Sequence, residues 1–211
     1  MTNALEVIKR LKKAYPNAKY YLNFSNPLQL LVAAILSAQV RDEVVNKTTE
    51  NLFKKYKSAK DYAKADLKVL TNDIKSVTFA GNKAKHIKEA CRIINEKYNG
   101  KIPKTIEELI ELPGIGRKTA NVILANAYNI ITGIPVDVHV TRVAYRLGLT
   151  KQKNPDKIEQ DLLKVVPKHY WKEFQWIIKA HGRAICQAPL PFCSKCFLSD
   201  ICPKQGVTKK L

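Results

Sequence analysis

The stretch "LPGIGRKTANVILANA", Leu112–Ala127, decides the fold because a glycine-rich turn runs directly into a helical sequence. Pro113 ends the preceding helix, and Gly114 and Gly116 allow backbone angles that other residues resist. Two helices joined in this way expose backbone N–H groups at the N-terminus of the second helix, where anions bind. A nucleic-acid phosphate fits such a site without regard to base sequence. The alternative interpretation is an ordinary helix–helix turn.

Lys118 lies in the first turn of the second helix, where positive charge is unfavourable because the helix N-terminus already carries partial positive charge. The helix end and cations such as Arg117 disfavour the ammonium form, and an uncharged amine is a nucleophile. Lys118 is therefore a candidate for covalent catalysis. A lysine that reaches out to phosphate or solvent explains the placement about equally well.

The hydrophobic pattern is helical along nearly the whole chain, and it predicts an all-α fold. Asn26 is a candidate N-cap with Pro27 at the first helical position, and Cys91 lies on a stripe that we assign to the core. Residues 130–138, "IITGIPVDV", have β-like composition but no partner strands. Other predicted helices include Leu5–Leu11, Asp42–Tyr56, 82–100, a short one between the Thr105–Glu108 capping box and Pro113, one from Asp137 to near Gly148, one opened by Asn154, and 171–186.

Charge favours a polyanionic partner. The 211 residues contain 37 Lys and Arg against 18 Asp and Glu, a formal net charge of +19, and nucleic acid is the usual partner of such an excess. A solvated lysine-rich surface is the alternative. The N-terminus lacks the apolar core of an export signal, and the longest apolar run, Leu30–Leu36, is too short to span a bilayer. We expect a cytoplasmic protein with no membrane contact.

Four of the five cysteines follow the pattern Cys186-x6-Cys193-x2-Cys196-x5-Cys202. Clustered cysteines in a reducing compartment indicate a metal site rather than disulfides. Structural zinc usually has two separated CxxC pairs, whereas this loop has one pair and two single cysteines, so a [4Fe-4S] cluster is favoured over zinc. Lys195 lies inside the loop, which is then a basic loop that we expect to contact DNA. Electron transfer is the competing role.

Together these motifs resemble endonuclease III, a DNA glycosylase/AP lyase family of the helix-hairpin-helix superfamily. The resemblance rests, in the family's order, on "LSAQVRDEVVNKTT", "LPGIGRKTANVILANA", "VDVHVTRVAYRLGL", "LLKVVP" and the cysteine spacing, and covers nearly the whole chain. It implies a six-helix barrel over residues 21–132, with the helix-hairpin-helix at about 106–128. It also implies a cluster domain formed by residues 1–20 and 133–211, with DNA in the cleft between the two.

The resemblance implies a mechanism for removing oxidised pyrimidines such as thymine glycol. Lys118 matches the family's catalytic lysine and Asp137 its catalytic aspartate, which either stabilises positive charge at the sugar or helps to deprotonate Lys118. Lys118 attacks the sugar of a flipped-out nucleotide, and the resulting Schiff base permits β-elimination on the 3′ side. Read locally, Asp137 is also an N-cap of the helix that follows it. The implied partner is double-stranded DNA with a damaged base or abasic site, bound by a monomer at the nucleoid.

The resemblance also suggests further DNA contacts. Gln39 matches a residue that enters the duplex and contacts the orphaned base, although a buried helix-terminal amide is the alternative. Phe79, in "TFAGNKAKH", is the candidate wedge, although core packing is its alternative. Arg41 and Lys83 are expected to contact phosphate, and His139 to pack between helices.

Two other functions compete with this one. One is a related glycosylase with a different base preference, and the other is a non-catalytic iron–sulfur protein that binds DNA or senses redox state. A non-catalytic protein has no need for Lys118 together with Asp137, so the presence of both residues favours an enzyme.

Overall fold

The computed structural model describes residues 2–211, which are helical with no β-strand among them. Two compact units divide the chain. One comprises Tyr21–Ile130, and the other combines the chain up to Tyr20 with Ile131–Leu211. The helices are α1 (Ala4–Ala14), α2 (Pro27–Leu36), α3 (Asp42–Lys55), α4 (Ala59–Lys64), α5 (Leu67–Asp73), α6 (Ala80–Lys97), α7 (Ile106–Ile110), α8 (Arg117–Ala127), α9 (Val138–Arg146), α10 (Pro155–Val165) and α11 (Trp171–Ala184).

Local capping chemistry sets several of the helix starts. The Asn26 side chain accepts the Gln29 N–H at the start of α2, where Pro27 occupies the first helical position. Asn154 accepts two N–H groups at the start of α10 in the same way. These short-range hydrogen bonds depend on neighbouring residues alone, so the sequence predicted both starts correctly.

The unit Tyr21–Ile130 has α2 at its centre, since every residue from Leu30 to Leu36 is buried. The apolar faces of α6 and α8 supply much of the remaining core, including Ile87, Ile123 and Leu124. Cys91 is fully buried on α6, as predicted. Burial raises the pKa of its thiol to about 12, so Cys91 is a structural residue.

The second unit packs the apolar face of α1 against α9, α10 and α11. Phe174 is buried in this core, and Cys196 and Cys202 pack against its edge. Arg10 joins α1 to the cysteine-rich segment, donating at 2.7 Å to Asp200. The core therefore extends directly to the segment that carries the cysteines.

Two short helices, α4 and α5, were not predicted from the sequence. Ser58 and Asp61 form a reciprocal capping box at the start of α4, so a local signal was present, but the helix is too short to show periodicity.

The capping box predicted at Thr105 was wrong in its second half. Thr105 accepts the Glu108 N–H, but the Glu108 carboxylate accepts from the Thr105 hydroxyl instead of its backbone N–H.

No helix within residues 2–211 is long and apolar enough to cross a membrane.

Candidate functional site

The glycine turn between α7 and α8 presents the start of α8 without a side-chain cap. Gly114 adopts φ +83°, a left-handed conformation that glycine tolerates at little cost. Buried Ile115 anchors the turn, its N–H donating to Leu112 at 3.1 Å. Gly116 occupies the N-cap position and makes no side-chain cap bond to the first N–H groups of α8. This arrangement suits a phosphate group.

Lys118 is exposed in the first turn of α8, directly after exposed Arg117. That turn contains no acidic residue, and within residues 2–211 the Lys118 amine has no salt bridge. An exposed amine outside any ion pair is accessible to an electrophile. Lys118 belongs to the unit Tyr21–Ile130.

Asp137 caps α9 in the other unit. One carboxylate oxygen, Oδ1, accepts the N–H groups of His139 at 2.8 Å and Val140 at 2.9 Å. The local interpretation of Asp137 as an N-cap is therefore confirmed. Because Oδ1 makes both bonds, the cap fixes the carboxylate and leaves Oδ2 outside this pair of bonds. His139 is half-buried, and its Nδ1 lies 3.2 Å from the Arg142 guanidinium, in agreement with a packing role.

Gln39 and Phe79 share an unusual backbone conformation. Both have φ +57°, which costs a residue with a side chain about 1–2 kcal/mol. Gln39 is exposed, so the buried-amide alternative is wrong. Phe79 is 64% exposed, so the core-packing alternative is wrong as well. The hydroxyl of Thr78 donates to the Gln39 carbonyl at 3.2 Å. This bond links the segment after α2, which contains Gln39, to the segment before α6, which contains Phe79.

Lys83 requires a correction, because its side chain faces the protein interior. The residue is only 5% exposed, and its Nζ donates to the Leu36 carbonyl at 2.8 Å and the Ala38 carbonyl at 2.7 Å. Its ammonium is therefore engaged by backbone carbonyls and does not reach out for the predicted phosphate contact. Burial lowers the pKa of Lys83.

The four clustered cysteines are free thiols that line one cavity, together with largely apolar side chains. Arg146 Nη1 donates to Cys186 Sγ at 3.5 Å, and the Lys204 N–H donates to Cys202 Sγ at 3.4 Å. Burial raises the pKa of Cys196 and Cys202, so their thiolates need a cation nearby to form. These free thiols, with N–H donors directed at two of the sulfurs, fit a thiolate-bound metal group.

No group of three or more His, Cys, Asp or Glu side chains within residues 2–211 is arranged to hold a single metal ion. The four thiols that line the cavity are the donor type that an iron–sulfur cluster requires.

The sequence around these residues matches a known protein family. Residues 32–168 match the HhH-GPD superfamily base excision DNA repair protein family. The chain belongs to the HhH-GPD superfamily. The matched region contains Gln39, Phe79, Lys118 and Asp137, and ends before the cysteine loop.

Members of this superfamily named endonuclease III align along nearly the whole chain. The Synechocystis protein is 48% identical over 200 residues, 95% of this chain and 91% of that relative. The Escherichia coli K12 protein is 39% identical over 199 residues, 94% of this chain and 93% of that relative. These alignments are long enough to extend beyond the family match.

Solved structures of endonuclease III share the fold. A trapped covalent intermediate of endonuclease III with DNA, an estranged-adenine complex, has a TM-score of 0.91 at 38% identity and covers 97% of both chains. A non-covalent endonuclease III–DNA complex has a TM-score of 0.90 at 38% identity and covers 95% of this chain and 94% of that one. A thermostable thymine-DNA glycosylase, at 22% identity and a TM-score of 0.85, shows the fold alone.

Two arginines that sequence reasoning missed join α9 of this HhH-GPD chain to the cysteine loop. Arg142 Nε donates to the Cys186 carbonyl at 3.1 Å, and Arg146 Nη1 donates to the Gln187 carbonyl at 2.7 Å. Their spacing of four residues on one face of α9 was the available signal. The same helix begins at Asp137, so one helix carries both the cap and these loop contacts.

Arg41 remains a predicted phosphate contact, and Lys195 remains a predicted DNA contact. Arg41 is exposed in the N-cap position of α3 and makes no side-chain cap bond. Lys195 is exposed, and its Nζ lies 5.8 Å from the centroid of the Phe192 ring. Neither side chain is buried as Lys83 is, so both are accessible to a ligand.

Proposed function

We propose that the protein is a bifunctional DNA glycosylase and AP lyase that removes oxidised pyrimidines, such as thymine glycol, from double-stranded DNA. The observation that carries the proposal is the exposed Lys118 amine at the uncapped start of α8. Its support is the close likeness to endonuclease III, of which one solved structure is a trapped covalent intermediate with DNA.

The glycine turn and the basic residues near it bind the damaged strand. Backbone N–H groups after Gly116 donate hydrogen bonds to a phosphate, and Arg117 adds a positive charge beside them. Gln39 enters the space left by the flipped nucleotide, and Phe79 stacks on an adjacent base. Thymine glycol has lost ring aromaticity and stacks poorly, so its extrusion costs less than that of an intact base.

Lys118 supplies the nucleophile. Its uncharged Nζ attacks C1′, the new C1′–N bond forms, and the base departs with the electron pair of the glycosidic bond and takes up a proton. The C1′–O4′ bond then breaks, O4′ takes up a proton and the nitrogen lone pair forms a C1′=N bond, which converts the adduct into a protonated Schiff base. Asp137 stabilises the positive charge that develops at the sugar, and its capped Oδ1 keeps the carboxylate in place.

Strand cleavage follows from the Schiff base. The iminium acidifies the C2′ proton, whose loss expels the 3′ phosphate by β-elimination. One product strand then ends in a 5′ phosphate, and water hydrolyses the unsaturated imine to release Lys118. Each step transfers a proton or an electron pair without an external oxidant or reductant.

We further propose that Cys186, Cys193, Cys196 and Cys202 hold a [4Fe-4S] cluster. The cluster would cross-link the C-terminal loop. The cross-linked loop would then hold Lys195 on a basic surface that contacts DNA. Metal analysis tests this, because four irons and four acid-labile sulfides per chain are expected. One zinc per chain would contradict it. After cluster removal, four thiols should react with maleimide in the folded protein, whereas buried Cys91 should react only on unfolding.

The expected location follows from the proposed substrate. We expect the protein to act as a monomer on chromosomal DNA at the nucleoid, in the cytoplasm. Size-exclusion chromatography with light scattering, with and without a damaged duplex, checks the assembly state.

A labelled duplex with one thymine glycol tests the proposed activity. The expected result is base release together with a nick that bears the β-elimination product. Base release without a nick, unless alkali is added, would indicate a glycosylase without lyase activity. The same assay is repeated on duplexes that contain uracil, a mismatch or an alkylated base. A protein that binds all of these duplexes but releases no base and nicks no strand would be a DNA-binding sensor.

A further inference from the structure

Lys83 is a buried amine that the proposed chemistry does not use. It lies on α6 with 5% of its surface exposed, and its Nζ makes two short hydrogen bonds to the carbonyls of Leu36 and Ala38. Burying an ammonium group is unfavourable unless hydrogen bonds replace its hydration. The buried Lys83 therefore favours a structure in which the start of α6 stays in contact with the end of α2, where its two carbonyl acceptors lie.

Both acceptors lie where α2 ends. Leu36 is the last residue of α2, and the final carbonyls of a helix have no partners within it and carry partial negative charge. Lys83 thus caps α2 with a positive charge supplied by α6. The Leu36 and Ala38 carbonyls both lie in the short segment that leads into Gln39, so the bonds from Lys83 fix the backbone directly before Gln39.

A second bond links the same two segments. Thr78 Oγ1 donates to the Gln39 carbonyl at 3.2 Å, while the Lys83 N–H donates to the Phe79 carbonyl at 3.1 Å in the first turn of α6. Gln39 and Phe79 both hold φ +57°. Residues with side chains keep such angles when surrounding contacts fix them. The Thr78 hydroxyl holds the Gln39 carbonyl directly, and the Lys83 side chain ties the first turn of α6, which follows Phe79, to two carbonyls that precede Gln39.

We propose that Lys83 is a positioning residue that, together with Thr78, holds Gln39 and Phe79 as one preformed two-pronged wedge. The inference rests on the proposed function, in which these two side chains enter DNA. A wedge fixed before binding does not have to be ordered during base extrusion, and preorganisation of this kind favours the extruded state. Lys83 acts only through Gln39 and Phe79 and does not touch DNA.

Three single variants test the proposal. Lys83→Met keeps an unbranched side chain that lacks only the terminal amine and so removes both hydrogen bonds, and Thr78→Val removes the hydroxyl at an exposed position. Lys85→Met is the matched control, because it removes the same charge from an exposed residue on the same helix. Circular dichroism and thermal unfolding establish that each variant is folded. If Lys83→Met does not fold, Thr78→Val carries the test.

The readout is single-turnover base release from a thymine glycol–adenine duplex, compared with strand cleavage at a preformed abasic site. We expect Lys83→Met to slow base release by about tenfold to a hundredfold, Thr78→Val to slow it less, and Lys85→Met to match the wild type. Cleavage at the abasic site should change little in all three variants, because no damaged base has to be extruded.

A double-mutant cycle separates positioning from general destabilisation. In a Gln39→Ala/Phe79→Ala background, Lys83→Met should cause no further loss, because the wedge is already absent. The fluorescence of a 2-aminopurine placed opposite the lesion should increase when wild-type protein binds, and should increase less when Lys83→Met binds. The inference would be overturned if the effects of the substitutions on base release were fully additive, or if wild type and Lys83→Met gave the same fluorescence increase. A wild type that releases no base but still brightens the probe would overturn the proposed function alone.

Discussion

Gln39 and Phe79 are two of the five non-glycine residues within residues 2–211 that have a positive φ, and both lie on the surface of the protein. Gln39 and Phe79 both have φ +57°, and the Phe79 ring is 64% exposed, so burial of the ring does not offset the strain. Strained, exposed residues of this kind concentrate at functional sites. Their conformation supports a role in DNA distortion better than a role in stability.

Replacing Phe79 should separate stability from function. Phe79→Gly should raise the free energy of unfolding by about 1 kcal/mol relative to Phe79→Ala, because glycine adopts φ +57° without the penalty of a side chain. Both variants should release thymine glycol at least about tenfold more slowly than the wild type, because each lacks the ring. Urea unfolding and single-turnover base release check the two results. Equal stability of the two variants would show that φ at this position is not strained in solution.

Asp137 combines two roles that one substitution should separate. Asn is as good an N-cap as Asp, so Asp137→Asn should leave the free energy of unfolding within about 0.5 kcal/mol of the wild type. Base release should fall by about a hundredfold or more, because the amide lacks the negative charge needed at the sugar. Kinetics and denaturant unfolding, measured on the same preparation, check both. A large loss of unfolding free energy together with an unchanged rate of base release would show that Asp137 acts only as a helix cap.

At the scale of the element, the turn between α7 and α8 places different demands on its two glycines. Gly114 has φ +83°, and an added Cβ would lie 3.1 Å from His86 Nδ1. Gly116 has φ −98°, and an added Cβ would have no neighbour within 4 Å. The first glycine is therefore required by the fold, whereas the second leaves space for a ligand.

Alanine at each glycine tests this distinction. Gly114→Ala should lower the free energy of unfolding by about 1–2 kcal/mol through its backbone angle. Gly116→Ala should change it by less than about 0.5 kcal/mol but weaken binding to duplex DNA, because the methyl group would lie where a phosphate approaches. Thermal unfolding and fluorescence anisotropy check the pair. Unchanged DNA affinity in Gly116→Ala would argue against a phosphate at this helix end.

How well the sequence predicted each element depended on the range of its interactions. Asn26 and Asp137 cap helices a few residues away, so local reading placed both correctly. Lys83 was misassigned because its partner Leu36 lies 47 residues earlier in the chain. No local pattern distinguishes an exposed lysine from one that caps a distant helix, since burial is decided by packing between helices.

Across the whole molecule, the net charge of +19 should appear as strong salt dependence. Affinity for undamaged duplex should fall by at least about a thousandfold between about 50 and 200 mM salt, because binding releases counterions from several phosphates. Base release at saturating enzyme should change much less, because it reports steps after binding. Anisotropy titrations and single-turnover rates check this. Affinity that is insensitive to salt would mean that the lysines form only a solvated surface.

The central claim for the whole molecule is that Lys118 forms a covalent bond with DNA. Borohydride trapping on a duplex with a single thymine glycol tests it most directly, with wild type, Lys118→Gln and the charge-matched Lys85→Met in parallel. The account predicts a trapped adduct with wild type and Lys85→Met and none with Lys118→Gln. A folded wild-type protein that gives no adduct on this duplex or on an abasic site, or an adduct that survives Lys118→Gln, would contradict it.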